Sequence, residues 1–198
     1  MNHQLTISHQ EHKDTEKTLF GFWVYIMTDC VLFASLFATY AVLHTSTFGG
    51  PSGKELFNLP SVLIETLLLL TSSYSVGLAL LAARRHDRDV TIIWLMVTAL
   101  LGAAFLFIEV SEFQHLAAAG NSWRRSGFLS AFFTLVATHG LHITSGLLWL
   151  AVITPKVYKQ GLTALSLKRL ELFSIFWHFL DIIWIFIFTL VYLMGGLA

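Results

Sequence analysis

Eight acidic or histidine side chains lie in long apolar stretches of this 198-residue sequence, away from the ends of those stretches. They are Asp29, Glu65, Glu109, Glu112, His139, His142, His178 and Asp181. An ionisable group at the centre of a bilayer costs about 2.5–3.5 kcal/mol on insertion scales, so each of these residues needs a partner or a function. Carboxylates and imidazoles carry protons, ligate metals and pair with each other. The sequence therefore predicts a buried polar site.

Several of these residues recur at an interval of three, which places them on one face of a helix. The sets with this spacing are Glu109, Glu112 and His115; His139 and His142; and His178 and Asp181. Hydrogen bonding between histidines and carboxylates of different helices, which holds the helices in register, is the simplest interpretation. Proton handling and ligation of a metal or cofactor are the alternatives.

Cofactor chemistry is tested by the donors that the sequence offers. A membrane di-iron centre needs several histidines and carboxylates at one place, whereas His139 and His142 supply two near mid-membrane and His178 a third from another helix. A bis-histidine haem needs only two histidines, but no basic residues suit its propionates. Retinal is excluded because every lysine lies outside the apolar stretches. We expect no catalytic centre, no metal and no cofactor in this chain.

Five apolar stretches are long enough to position these residues in a membrane, because a helix crosses the hydrocarbon core with about 20 residues. They cover about residues 18–43, 59–83, 90–117, 126–153 and 169–195. The chain is 56% hydrophobic and 12% charged, against roughly 25% charged in soluble domains. The predicted fold is an all-α membrane protein, a bundle of five transmembrane helices after a polar tail at residues 1–17. A soluble bundle would need polar helix faces that residues 67–81 and 92–108 lack.

Four connections separate the predicted helices. The first, at residues 44–58, contains Gly49-Gly50-Pro51, the strongest turn signal in the chain. The second, at 84–89, is short, so the second and third helices are expected to be antiparallel neighbours. The third lies at 118–125, and the fourth, at 154–168, contains Pro155 and Gly161.

Lys and Arg are distributed unevenly between the two ends of the bundle. Nine lie on the side of the N-terminal tail, namely Lys13, Lys17, Arg84, Arg85, Arg88, Lys156, Lys159, Lys168 and Arg169. Three lie on the other side, namely Lys54, Arg124 and Arg125. Because basic loops stay in the cytoplasm, the N-terminus is predicted to be cytoplasmic and the C-terminus periplasmic. In this orientation the three glutamates lie toward the outer side and the other five polar residues near the midplane.

Three segments of the sequence resemble helices of one known protein family. The motifs Arg125-Ser126-Gly127-Phe128, Thr138-His139-Gly140-Leu141-His142 and Ser145-Gly146 resemble the signature helix of subunit III of the haem–copper terminal oxidases. Phe176-Trp177-His178-Phe179-Leu180-Asp181, with Trp184, Phe188 and Tyr192, resembles its last helix. Residues 27–34 resemble the helix with the intramembrane carboxylate, which is Asp29 here.

Within this family the sequence is most similar to the cytochrome o ubiquinol oxidase branch. The supporting segments are Phe20-Gly21-Phe22-Trp23, Gly49-Gly50-Pro51, Leu63-Ile64-Glu65-Thr66 and Val191-Tyr192-Leu193-Met194-Gly195. Larger members have seven helices, and the resemblance implies that extra helices of subunit I replace the missing two. Many members carry glutamate where Asp29 stands, so the carboxyl of this chain reaches less far.

The resemblance implies a non-catalytic subunit of an oxidoreductase that reduces oxygen to water and pumps protons across the bacterial cytoplasmic (inner) membrane. Haem and copper are expected in subunit I, the main partner, and subunits II and IV and bound phospholipid are further partners. The chain would stabilise subunit I and support proton uptake. The alternatives are the same role in a cytochrome c oxidase and an independent small transporter, although no inverted repeat is present. The net charge of zero argues against a nucleic-acid partner.

Overall fold

The computed structural model describes residues 2–48 and 59–197, with side chains at 17–48 and 59–195. Its long helices are α1 Asn2–Leu43, α2 Leu59–Arg84, α3 Arg88–Ala118, α4 Gly127–Gln160 and α5 Ala164–Ile187. A π-helical segment, Phe188–Leu193, and the short α6, Met194–Leu197, continue α5. Within the described ranges, five helices are long and apolar enough to cross a membrane, and the first of these spans starts at Lys17. The all-α fold with five such helices is therefore confirmed, although α1 already begins inside the predicted polar tail.

The fourth connection is shorter than the predicted residues 154–168 and covers residues 161–163. The helix α4 continues past Pro155 to Gln160, and the chain turns at Gly161, which has φ 74° and donates its N–H to Val157 O at 3.0 Å. The next helix starts at Ala164, where the Thr163 side chain caps it by accepting from Ser166 N at 3.2 Å. A proline near a helix end removes one backbone hydrogen bond without ending the helix when neighbouring contacts keep it in place.

The other described connections agree with their predicted positions to within a few residues. Residues 85–87 join α2 to α3, where the Asp87 side chain accepts from Val90 N at 3.2 Å. The helices α2 and α3 make the most extensive contact between elements of the described chain, as expected for antiparallel neighbours. Ser126 caps α4 by accepting from Leu129 N at 3.2 Å. The turn at Gly49-Gly50-Pro51 lies outside the described residues.

One tryptophan of α5 joins four helices. The Trp177 ring is 1% exposed and lies between Gly102 of α3 and Gly146 of α4. A Cβ atom added at these glycines would lie 3.0 Å and 2.7 Å from ring atoms, so only glycine permits this approach. The indole Nε1 donates to Ser72 Oγ of α2 at 3.1 Å. Small residues and one buried hydrogen bond thus hold the bundle together, as is usual for helices in lipid.

The outside of the bundle is apolar. Leu100, Phe107 and Leu141 are 71%, 74% and 69% exposed, whereas Glu65 and His139 are fully buried. A protein folded in water would hide such large side chains and expose its carboxylates. The reversed arrangement suits a hydrocarbon surrounding and leaves the polar residues to be satisfied inside.

A candidate buried polar site

Asp29 of α1 and His142 of α4 form an ion-pair contact between helices. Asp29 Oδ2 lies 3.4 Å from His142 Nε2, and the two side chains are 11% and 18% exposed. The Phe33 ring, one turn along α1, lies 5.2 Å from the imidazole, and Tyr25, one turn before Asp29, has its hydroxyl close to the carboxylate. This contact is of the kind expected from the sequence, a histidine and a carboxylate from different helices.

The hydrogen bond of the second ring nitrogen of His142 determines which ring atom faces Asp29. His142 Nδ1 lies 2.8 Å from the Thr138 carbonyl oxygen, an acceptor, so Nδ1 carries a hydrogen. Nε2 then faces Asp29 with a lone pair in the neutral ring and with an N–H in the charged ring. His142 therefore meets the Asp29 carboxylate through Nε2, 3.4 Å from Oδ2.

His139 lies one turn before His142 but has different surroundings. It is fully buried, and neither ring nitrogen has a hydrogen-bond partner within the described chain. Its ring centroid lies 5.3 Å from Trp184, 6.0 Å from Phe105 and 6.4 Å from Phe33. The helix face shared by the two histidines thus separates into an aromatic part at His139 and a carboxylate contact at His142.

A second polar cluster lies between α2 and α3. Glu65 and Glu109 are 0% and 2% exposed, and their carboxyl groups lie side by side. All four carboxyl oxygens lack a hydrogen-bond donor among the described residues. Glu112, one turn further along α3, and the Tyr192 hydroxyl are close enough to interact with both charges.

This carboxyl pair is short of a donor. No described Lys, Arg or His forms an ion pair with Glu65 or Glu109. Burying two adjacent carboxylates without a cation is unfavourable, whereas a proton on one of them turns an acceptor into a donor for the other.

The burial of the predicted polar face of α3 decreases along the helix, because Glu109 is buried, Glu112 half-buried and His115 exposed.

The third predicted set, His178 and Asp181 of α5, meets a serine of α2. His178 is exposed, and its Nδ1 lies 2.6 Å from Ser73 Oγ. The same serine lies beside the half-buried Asp181 carboxylate. Ser73 therefore bridges the two residues at the margin of the bundle.

Sequence reasoning missed the hydroxyl groups of α2 that face α5 and α3. Trp184 Nε1 donates to Thr66 Oγ1 at 3.1 Å, Trp177 Nε1 to Ser72 Oγ at 3.1 Å, and Ser75 Oγ lies 2.7 Å from Thr98 Oγ1. A signal was available, because residues 71–75 place three serines and a threonine in an otherwise leucine-rich segment. In a transmembrane helix, such small polar residues indicate a helix interface.

The residues available for a metal or cofactor are few. Across the side chains that the structure describes, no group of three or more His, Cys, Asp and Glu is placed to hold a metal ion. His139 and His142 are one turn apart on the same helix and both contact Phe33, rather than facing each other across a gap. The arrangement supports hydrogen bonding between helices, and it groups carboxyl and imidazole side chains at two buried places.

Comparison with known proteins gives consistent matches over most of the chain. Residues 3–196 match the family model of cytochrome c oxidase subunit III. The chain is similar to cytochrome bo(3) ubiquinol oxidase subunit 3 of Pseudomonas aeruginosa, with 57% identity over 186 residues, which is 94% of this chain and 89% of the relative. It is 52% identical to the Pseudomonas putida protein of the same name, over 94% of this chain and 90% of the relative. Cytochrome c oxidase subunit 3 of Bacillus sp. strain PS3 is 45% identical over 88% of this chain and 84% of the relative.

Proposed function

Because this chain belongs to the cytochrome c oxidase subunit III family, we propose that it is subunit III of a bacterial ubiquinol oxidase and has no catalytic centre of its own. The observation that carries this proposal is the similarity to cytochrome bo(3) ubiquinol oxidase subunit 3 over 94% of the chain. In such a complex, haem and copper in subunit I supply the oxygen chemistry. The residues of this chain pack against subunit I and hold protons at buried carboxyl groups.

The proposed setting is the bacterial cytoplasmic membrane, which residues 18–198 cross five times. The tail at residues 1–17 lies in the cytoplasm and the C-terminus in the periplasm, as the excess of Lys and Arg at one end supports. The main partner is subunit I, and subunits II and IV complete the complex. The broad apolar surface leaves ample area for subunit I and for phospholipid.

Within this role, Asp29 and His142 support proton uptake by the neighbouring subunit. The contact between their side chains, 3.4 Å from Oδ2 to Nε2, supports this role because carboxyl and imidazole groups both carry protons. Glu65, Glu109 and Glu112 form the second group, in which Glu65 and Glu109 are buried, and His139, His178 and Asp181 serve mainly to join helices.

Affinity purification through a tag on this chain tests the proposal. In mild detergent the chain should bring down a haem-containing partner, and the preparation should consume oxygen with ubiquinol but not with reduced cytochrome c. Activity with cytochrome c alone would favour the alternative role in a cytochrome c oxidase, which the 45% identical Bacillus relative supports. If the purified chain contains no haem and by itself carries protons or solutes across liposome membranes, it is an independent transporter and neither oxidase role holds.

The proton role has its own test in Asp29→Asn, with Asp29→Glu as the conservative control. The asparagine variant should leave the initial rate of oxygen consumption largely intact and shorten the working life of the enzyme or lower the number of protons pumped per electron. The glutamate variant should preserve both. Immediate and complete loss of oxygen reduction in a fully assembled Asp29→Asn complex would contradict an accessory role.

A further inference from the structure

The carboxyl groups of Glu65 and Glu109 lie side by side where α2 packs against α3, and both side chains are buried. We infer that this pair binds one exchangeable proton between its two carboxyl groups, and that Glu112 connects it to the end of the bundle where α3 ends. The inference rests on the proposed function only for the side of the membrane, since this end faces the periplasm in the proposed orientation. The proton site therefore opens on the side opposite to cytoplasmic proton uptake.

The hydroxyl groups near the pair donate their hydrogens elsewhere. Thr66 Oγ1, next to Glu65 in the chain, donates to the backbone carbonyl one turn earlier at 2.8 Å and accepts from Trp184 Nε1 at 3.1 Å. The Tyr40 hydroxyl donates to the Val191 carbonyl oxygen at 3.4 Å. All four carboxyl oxygens of the pair are buried without a hydrogen-bond donor among the described residues. Two unpartnered acceptors on each of two buried side chains indicate that the pair binds something that these neighbours do not supply.

A proton is the ligand that this geometry fits. A carboxyl O–H on one glutamate donates to a carboxylate oxygen of the other, which replaces the repulsion of two charges with a hydrogen bond and leaves one negative charge. A metal ion would also neutralise the pair, but it needs several donors, and no group of three or more His, Cys, Asp and Glu is placed to hold one among the described side chains. A proton needs only two oxygens that face each other.

The other titratable groups around the pair supply no positive charge. Glu112 of α3 adds a third carboxyl group, whose charge disfavours a second charge on the pair. Tyr192, after α5, and Tyr40 of α1 are phenols, which are uncharged near neutral pH. His139 of α4 lies among aromatic rings, and no hydrogen bond or ion pair joins it to either glutamate of the pair in the described chain. Within that part of the chain, a bound proton is therefore what offsets the charge of the pair.

Glu112 connects the pair to water. It follows Glu109 by one turn of α3, about 4.5 Å along the axis at 1.5 Å per residue, and is half-buried. His115 follows by another turn and is exposed, and α3 ends at Ala118. A proton that leaves Glu109 is accepted by the Glu112 carboxylate and then passes to water or to the neutral His115 imidazole, and uptake by the pair runs in the reverse order. Each release moves one proton and leaves one additional negative charge on the pair.

Proton binding also makes the stability of the bundle depend on pH. A proton that the folded pair holds and the unfolded chain does not hold stabilises the fold at low pH, and this contribution is lost as the pH rises. In the proposed oxidase, pumping brings protons to the side on which Glu112 opens. The pair therefore couples the stability of this subunit to the acidity of that side.

Infrared difference spectroscopy of the purified complex tests the shared proton, because a protonated carboxyl group has a C=O stretching band at a frequency where a carboxylate does not absorb. At neutral pH the wild type should show one such band, sensitive to deuterium exchange, that both Glu65→Gln and Glu109→Gln lose, since the amide donates to the remaining carboxylate in place of the proton. Glu171→Gln, which removes a glutamate paired with Arg84 at the surface, should keep the band. Survival of the band in either variant of the pair would assign the proton to a single glutamate and overturn the shared site. The absence of any band difference between the wild type and the two variants would overturn it as well.

The thermal unfolding midpoint of the same complexes is a second measurement. The wild-type midpoint should fall as the pH rises from neutral, and the midpoints of Glu65→Gln and Glu109→Gln should fall less. Parallel pH dependence in the wild type and both variants would contradict proton binding by the pair.

The connection through Glu112 has its own test in the rate at which the infrared band shifts after transfer of the complex into deuterium oxide. Glu112→Gln should retain the band and slow its shift, whereas Ser111→Ala, at an exposed position beside it on α3, should leave the rate unchanged. A wild-type rate in Glu112→Gln would overturn the connection through Glu112.

Haem absorption and ubiquinol oxidation of the same preparations separate this inference from the proposed function. The carboxyl band without haem leaves the proton site standing and removes the oxidase function. An active, haem-containing complex without the band does the reverse.

Discussion

The substitution Gly146→Ala tests whether the tight packing of Trp177 against α4 stabilises the bundle. The added Cβ would lie 2.7 Å from Trp177 Cζ3, 3.0 Å from Cε3 and 3.2 Å from Phe176 Cε1. Carbon atoms pack at about 3.5–4.0 Å, so α4 or the indole must move by about 1 Å.

The indole has little room to move. Its Nε1 is bonded to Ser72 at 3.1 Å, Phe173 lies 5.4 Å away on the same helix, and the ring also touches the glycine of α3, since a Cβ at Gly102 would be only 3.0 Å from it. The strain therefore falls on the separation of α4 and α5. Overpacking of this kind costs about 1–3 kcal/mol, which corresponds to a fall of roughly 2–12 °C in melting temperature for a protein of this size.

The measurement is the thermal unfolding midpoint of the purified complex, followed by size-exclusion chromatography with fluorescence detection. Gly77→Ala is the matched control, because nothing lies within 4 Å of its added Cβ in the described chain and alanine favours a helix. This control should keep or raise the midpoint. If the Gly146→Ala complex has the same unfolding midpoint as the Gly77→Ala complex, Trp177 does not pack tightly against α4 and the reasoning fails. A second variant, Gly146→Ala with Trp177→Leu, should recover part of the loss.

Three further changes have expected outcomes in the same unfolding measurement. Trp184→Phe removes the indole bond to Thr66 and should cost about 1 kcal/mol, and Thr66→Val should add little to it; additive losses would show that the bond is unimportant. Glu109→Gln supplies an amide donor to Glu65 and should raise the midpoint; a fall would mean that both carboxyls are already satisfied. Arg84→Gln breaks an exposed ion pair and should change stability by less than about 1 kcal/mol, so a larger loss would reveal a role for Arg84 beyond that pair.

The sequence by itself determined the class of protein and the number of spanning helices. Whether a segment can cross a membrane depends on the length and apolarity of that segment alone. The predicted spans at 59–83 and 90–117 therefore agree with Leu59–Arg84 and Arg88–Ala118 to within two residues. The motifs around His139 and Asp181 also identified the family, because a family resemblance needs only the order of residues along the chain.

Other features depended on tertiary structure. Spacing placed His139 and His142 on one face of α4, but only the rotation of α1 against α4 brings Asp29 to His142 and leaves His139 among aromatic rings. The continuation of α4 beyond Pro155 also could not be predicted, because packing compensates for the one hydrogen bond that proline removes.

The contacts of α5 with α2 also depended on the tertiary structure. Ser73 reaches His178, and Thr66 reaches Trp184, because the two helices cross at one particular height. The π-helical segment Phe188–Leu193 changes the rotation of the last turns and places Tyr192 near the buried glutamates. Helix formation in a membrane is local, whereas the partner of each buried polar group is set by the relative rotation and height of two helices, which no single segment encodes.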